Sequence, residues 1–135
     1  MKTFDLSFGT VTLLRQDLAE VIIDQGIEMN MDMIDEYHMF VSEFLAEPCA
    51  ILINKINQYT YSFEAQLAIS NLEKIKAIAA VTYSDASRMA SETLMKLPTH
   101  KHWNMRIFSD RDNALRWLEQ QLSFLNATPG STPRA

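Results

Sequence analysis

Hydrophobic and polar positions alternate from the first residues. Phe4, Leu6 and Phe8 are separated by Asp5 and Ser7, Gly9-Thr10 reads as a turn, and "VTLLR" resumes the alternation. A two-residue period followed by a turn signal and a second period predicts two antiparallel strands. Gln16-Asp17 marks another turn, after which Ala19, Val21 and Ile23 in "LAEVIID" share one face until Gly26, predicting a third strand. Beyond Asn30, a residue suited to N-capping, Ile34, Tyr37, Val41, Phe44 and Leu45 recur at three- and four-residue steps up to Pro48. That spacing predicts a helix of about four turns, which the proline ends.

The run "CAILINKI" is short and continuously apolar, as a parallel strand buried on both faces must be. A helix from Ser62 to about Lys74 follows it, then a strand at "KAIAAVTY", a helix from Ser84 to Leu97, and a last strand at "WNMRIF". Ser109-x-x-Asp112 matches a capping box opening "NALRWLEQQLSFL", whose Ala114, Trp117, Leu118 and Leu122 make one helical face that must cover the sheet. The fold class is therefore α/β, a mixed sheet with an antiparallel N-terminal part, then alternating β-α units with the helices packed on the sheet. Residues 1–126 form one expected domain, and "ATPGSTPRA", residues 127–135, lacks apolar periodicity and is expected to be a disordered tail.

The order β-β-β-α-β-α-β-α-β-α, the "SFEA" start of the second helix, "IKAIAAV" followed by "SR", and the ending "IFSDRDNALRWL" together resemble the SpoIIAA-like proteins. These are relatives of the STAS domains and of the lipid-carrying CRAL-TRIO fold. The resemblance spans residues 1 to about 126 and implies a STAS-like, SpoIIAA-like fold in a bacterial protein. In the STAS anti-sigma-factor antagonists, a serine at the N-terminus of the helix after the central strand is phosphorylated by a partner kinase, which switches binding off. Ser62 lies near that position, so the resemblance marks it as a candidate phosphorylation site; Thr60 and Tyr61 precede it where the family has aspartate or serine, and bulky Phe63 follows. The residue types alone favour a plain N-cap at Ser62, with Glu64 in the first turn complementing the helix dipole.

Charge and composition narrow the functional classes. The chain is 135 residues, 47% hydrophobic and 21% charged, enough for one core without disulfides or metal. Net charge is −5 and the 12 Lys and Arg are scattered, leaving no footprint for nucleic acid or an anionic membrane. No apolar run approaches the roughly 18 residues of a spanning helix, and the N-terminus carries no signal-like apolar stretch, so a cytoplasmic location is expected. Cys49 is alone, and its setting in "PCAILI" points to a buried thiol.

Few residues offer chemistry. His100-x-His102 lacks further ligands nearby in sequence and reads as an exposed loop; His38 flanks the apolar stripe of the first helix; Asp32, Asp35 and Glu36 read as a solvated acidic face. With three glycines there is neither G-x-G-x-x-G nor G-K-[ST]. No catalytic residue, metal or cofactor is assigned, and no enzyme activity is expected. Two features point to a binding surface. Tyr59, Tyr61, Ser62, Phe63 and Tyr83 follow two adjacent strands, where open α/β sheets bind ligands. Met31 and Met33, with Met29 and Met39, are adaptable apolar side chains that either pack the sheet edge or rim a pocket. The expected function is a non-catalytic STAS-like interaction or regulatory module with a protein partner. The alternative is binding or sensing of a small lipophilic ligand in an apolar pocket. The exposed edge of the antiparallel start also makes a homodimer an expectation.

Overall fold

A computed structural model describes residues 1–100 and 103–126. Its strands are β1 (Lys2–Leu6), β2 (Gly9–Arg15), β3 (Leu18–Ile23), β4 (Glu28–Met29), β5 (Cys49–Lys55), β6 (Thr60–Tyr61), β7 (Ile75–Thr82) and β8 (Met105–Phe108). Its helices are α1 (Met31–Phe44), α2 (Phe63–Ala68), α3 (Asp85–Met95) and α4 (Arg111–Asn126), with a 3₁₀ turn at Pro98–His100. The main sheet has six strands in the order β1-β2-β3-β5-β7-β8. β1, β2 and β3 pair antiparallel, and β3-β5, β5-β7 and β7-β8 pair parallel.

Three successive crossovers, β3-α1-β5, β5-α2-β7 and β7-α3-β8, each step one strand in the same direction. Right-handed connection then sends all three helices to one face. α4 covers the other. The alternation within β5 divides the core accordingly. Cys49 and Ile51 join Phe8, Val21, Ile34, Tyr37, Val41 and Ile78 on the α1 side. Ala50 and Leu52 join Leu18, Ala77, Ala79 and Val81 beneath Ala114, Leu118 and Leu122 of α4. The alanines of β7 keep the sheet surface flat enough for α4 to lie close. No helix among the described residues is long and apolar enough to cross a membrane.

Several expectations are corrected in detail. The first hairpin turns at Ser7-Phe8, not Gly9-Thr10, and Phe8 is fully buried. Gly9 instead opens β2 in the left-handed half of backbone space, where a Cβ would collide with the Ile22 carbonyl of the paired strand. α2 stops at Ala68 because Ser70 and Asn71 compete with helical hydrogen bonds: Asn71 N–H turns back to the Ala68 carbonyl at 3.0 Å and the Ser70 hydroxyl bonds His100. α4 is capped by Asp110, whose carboxylate accepts from Asn113 N–H at 3.1 Å, not by Ser109. Trp117 is half-buried, packed on the edge of the α4 core with its ring 5.7 Å from that of Phe108, whereas Ala114, Leu118 and Leu122 are fully buried. The short parallel pair β4-β6 had no signal of its own in the sequence. The tail 127–135 lies outside the described residues.

Candidate functional site

The parallel strands β5 and β7 end side by side, with Lys55 opposite Thr82. Beyond them the chain runs through Ile56–Thr60 on one side and Tyr83–Ser84 into α3 on the other. The first of these segments is fastened to the loop after β3: Gly26 N–H donates to the Gln58 carbonyl at 2.8 Å, Gln58 N–H to Gln25 Oε1 at 2.9 Å, and Thr60 N–H to the Ile27 carbonyl at 3.0 Å. Asn57 adds a bond from its amide to the Ile23 carbonyl at 3.0 Å. The pairing of β4 with β6 continues this fastening, with Glu28 opposite Thr60 and Met29 opposite Tyr61. The result is an open groove of about 990 Å³ between the 56–60 segment, Tyr61 and Gln66 on one bank and α3 on the other.

Lys55 stands at its floor. The Nζ donates to Ser91 Oγ at 2.8 Å and lies 5.4 Å from the centre of the Tyr59 ring. Burial pushes its pKa down to about 8. Tyr59 and Tyr61 meet edge to face with centroids 5.6 Å apart and hydroxyls at 3.4 Å, and burial raises the pKa of both phenols above the ordinary 10. Below the groove an enclosed apolar cavity between the sheet and the α1 side holds only about 20 Å³. Lys55, Tyr61 and Leu94 border both spaces.

Tyr83 belongs to a polar chain that runs from strand to strand on the α4 face of the sheet. Its hydroxyl donates to Asn54 Oδ1 at 2.7 Å, and the Asn54 amide donates to Glu20 Oε2 at 2.9 Å. Arg111, in the first turn of α4, donates to both Glu20 oxygens at 2.6 and 3.1 Å. Burial raises the Glu20 pKa, but the hydrogen bonds from Arg111 and Asn54 and the guanidinium charge outweigh it, and the net shift is downward. Neither residue carries a distinguishing sequence signal: Glu20 is a charged residue within the apolar strand β3, and Lys55 is the last residue of β5.

The sequence-derived candidates separate into two groups. Tyr59, Tyr61 and Tyr83 line the groove. Ser62 is half-buried beside it and caps α2, accepting from Ala65 N–H at 3.2 Å, while its own N–H donates to the Met29 carbonyl at 2.8 Å. Phe63 is 75% exposed on the first turn of α2 and does not line the groove. Met31 and Met33, both half-buried, lie in the first turn of α1, away from the groove lining; Met33 packs against the α1 core and Met29 is buried within it.

The remaining reactive types sit elsewhere. Cys49 is buried, its thiol bonded to the Lys74 carbonyl at 3.4 Å and pushed up to about 12 by burial. His38 meets the Ile69 carbonyl at 3.1 Å. His100, expected in an exposed loop, is buried: its Nε2 bonds the Gln66 carbonyl and its Nδ1 the Ser70 hydroxyl, each at 2.6 Å. A carbonyl accepts only, so Nε2 carries a proton, and in the neutral ring Nδ1 accepts from Ser70. His102 lies outside the described residues. Among the described residues no three His, Cys, Asp or Glu side chains are grouped so as to hold a metal ion.

The chain belongs to the family described as domain of unknown function DUF7793, whose model matches residues 15–122. A solved structure, an uncharacterized protein of the DUF3478 family with a SpoIIAA-like fold from Shewanella loihica PV-4, is similar to it with a TM-score of 0.52. The two chains are 14% identical, and the match covers 87% of this chain and 99% of that one. The fold is SpoIIAA-like, a mixed sheet whose antiparallel N-terminal strands lead into parallel β-α units. No curated protein matches the chain.

Proposed function

We propose that this member of the DUF7793 family is a non-catalytic binding module whose groove at the ends of β5 and β7 takes a small amphiphilic molecule. The groove itself carries the reading. Its volume of about 990 Å³ reaches the upper end of the roughly 300–1,000 Å³ common for ligand sites, and it lies at the carboxyl ends of parallel strands, where open α/β sheets receive ligands. A lipophilic ligand sealed inside the core is the weaker alternative, since the enclosed cavity of about 20 Å³ has room for little more than one water. Binding rather than turnover is supported by the reactive residue types other than Lys55. Tyr59 and Tyr61 resist ionisation, and Cys49 and His38 are engaged away from the groove.

The test is a ¹H–¹⁵N NMR titration with a library of neutral, soluble fragments. Amide shifts should concentrate in Lys55–Thr60 and Ser84–Leu94. Shifts confined to other surfaces, or none at millimolar fragment, would refute the groove as the binding site.

A protein partner is the second reading, favoured by the exposed apolar side chains Ile56, Phe63, Tyr83 and Met89 on or beside the groove banks. Phe63→Ser with Met89→Ser would abolish capture of such a partner and leave fragment shifts intact, because neither residue lines the groove.

A further inference from the structure

The charge distribution around the groove specifies its ligand more closely. Among the described residues lining it, Lys55 alone carries a formal charge; the others are apolar, aromatic or neutral amides and hydroxyls. Lys55 has no carboxylate within ion-pair distance among the described residues, and the group it donates to is the Ser91 hydroxyl. An ammonium has three donors, so Ser91 leaves two. In a chain with 17 acidic residues against 12 Lys and Arg, a cation withdrawn from water without an acidic neighbour is held against the prevailing composition. Such a charge is costly to bury unless something compensates it.

We infer that the groove selects a small monoanion with an apolar body, its carboxylate on the Lys55 ammonium and its body against Tyr59, Tyr83 and Leu94. The inference rests on the binding-module reading and adds the ligand class. A single cation matches a single negative charge, whereas a polyphosphate needs several donors and cations that the lining does not supply. The depressed pKa of Lys55 accords with this, because burial with no counter-ion among the described residues leaves the charged form uncompensated until an anion binds. The half-open groove lets the apolar body enter from solvent, and Tyr59 and Tyr83 offer it flat aromatic surface.

The test uses three probes of equal chain length, octanoate, octan-1-ol and octylamine, titrated by NMR into wild type, Lys55→Met and Lys55→Arg at pH 7. Wild type should bind octanoate at least tenfold more tightly than octanol and should not favour octylamine, with shifts in Lys55–Thr60 and Ser84–Leu94. Lys55→Met should lose the octanoate preference while keeping octanol binding, and Lys55→Arg should retain the preference. If Lys55→Met fails to fold by circular dichroism, the wild-type ranking and Lys55→Arg still decide. Equal affinity for octanoate and octanol in the groove would overturn anion selection and leave the binding-module reading standing. Tighter binding of octylamine would overturn it as well. Absence of groove shifts with all three probes would overturn both readings.

Discussion

Lys55→Met removes a half-buried charge while keeping an unbranched side chain of similar length, and the geometry predicts that the unliganded protein gains stability. Burial holds the Lys55 pKa at about 8 against the ordinary 10.5. At about 1.36 kcal/mol per pH unit, that difference is a penalty of roughly 3 kcal/mol on the folded state at pH 7. The variant also leaves the Ser91 hydroxyl without its donor, costing about 1 kcal/mol. A net gain of about 2 kcal/mol should move the urea midpoint by roughly 1 M, with a slope of about 1–3 kcal/mol/M. The pH dependence is the sharper assay. Because the folded pKa is depressed, the unfolded chain binds more protons between pH 8 and 10.5, and wild-type stability rises through that window. The penalty is complete below pH 8 and gone above 10.5. Between pH 7 and 9.5 wild type should recover roughly 2 kcal/mol relative to Lys55→Met, which has no such group. Taking the difference between the two proteins cancels other titrations, including those of Tyr59 and Tyr61 above pH 10. A variant less stable than wild type at pH 7, with a difference that does not change up to pH 9.5, would refute the reasoning and mean that the Lys55 ammonium is hydrated in the folded state.

Ser62→Ala should cost about 0.5–2 kcal/mol by thermal or urea denaturation and Ser62→Asp should be near neutral, since aspartate also accepts from the Ala65 N–H; an equal loss in both would show that the cap contributes nothing. Glu20→Gln should cost about 1–2 kcal/mol at pH 7, in the lower part of the range for charged hydrogen bonds because the Arg111 side chain is 39% exposed. The Glu20 pKa is lowered in the folded state, so this contribution is present above the ordinary 4.5 and lost as pH falls below it; denaturation at pH 7 and pH 3 should therefore show wild type and variant converging in acid. Cys49, buried and with its pKa pushed up to about 12, should not react with an aromatic disulfide reagent at pH 8 until denaturant is added; fast stoichiometric labelling of native protein would place the thiol at the surface.

The alternation of Phe4, Leu6 and Val11, the continuous apolar run from Cys49 to Ile53 and the 3.6-residue stripe from Ile34 to Val41 specify their elements locally, because burial on one face or two writes itself into neighbouring residues. The order of strands and helices followed, and with right-handed crossovers so did the sheet. Asn30 and Ser62 were legible as caps for the same reason: a cap acts on the N–H three residues away, within the same short window. Helix ends were less legible where a distant group intervened. α2 stops where the Ser70 hydroxyl finds His100, thirty residues along the chain.

The candidate site was legible only in part. Tyr59, Tyr61 and Tyr83 were placed at strand ends by the α/β pattern, and they line the groove. Met31, Met33 and Phe63 were grouped with them by composition and nearness in sequence, but helical rotation and the direction of chain entry carry them elsewhere. Lys55 and Glu20 acquire their character from what surrounds them. Ser91 lies 36 residues from Lys55, and Arg111 lies 91 residues from Glu20. A sequence by itself determines which side chains must leave water, since that depends on residue type and local period. Which charge is left without a counter-ion among the described residues, and which is clasped by one, depends on groups brought together across the sheet. Only the tertiary structure decides that.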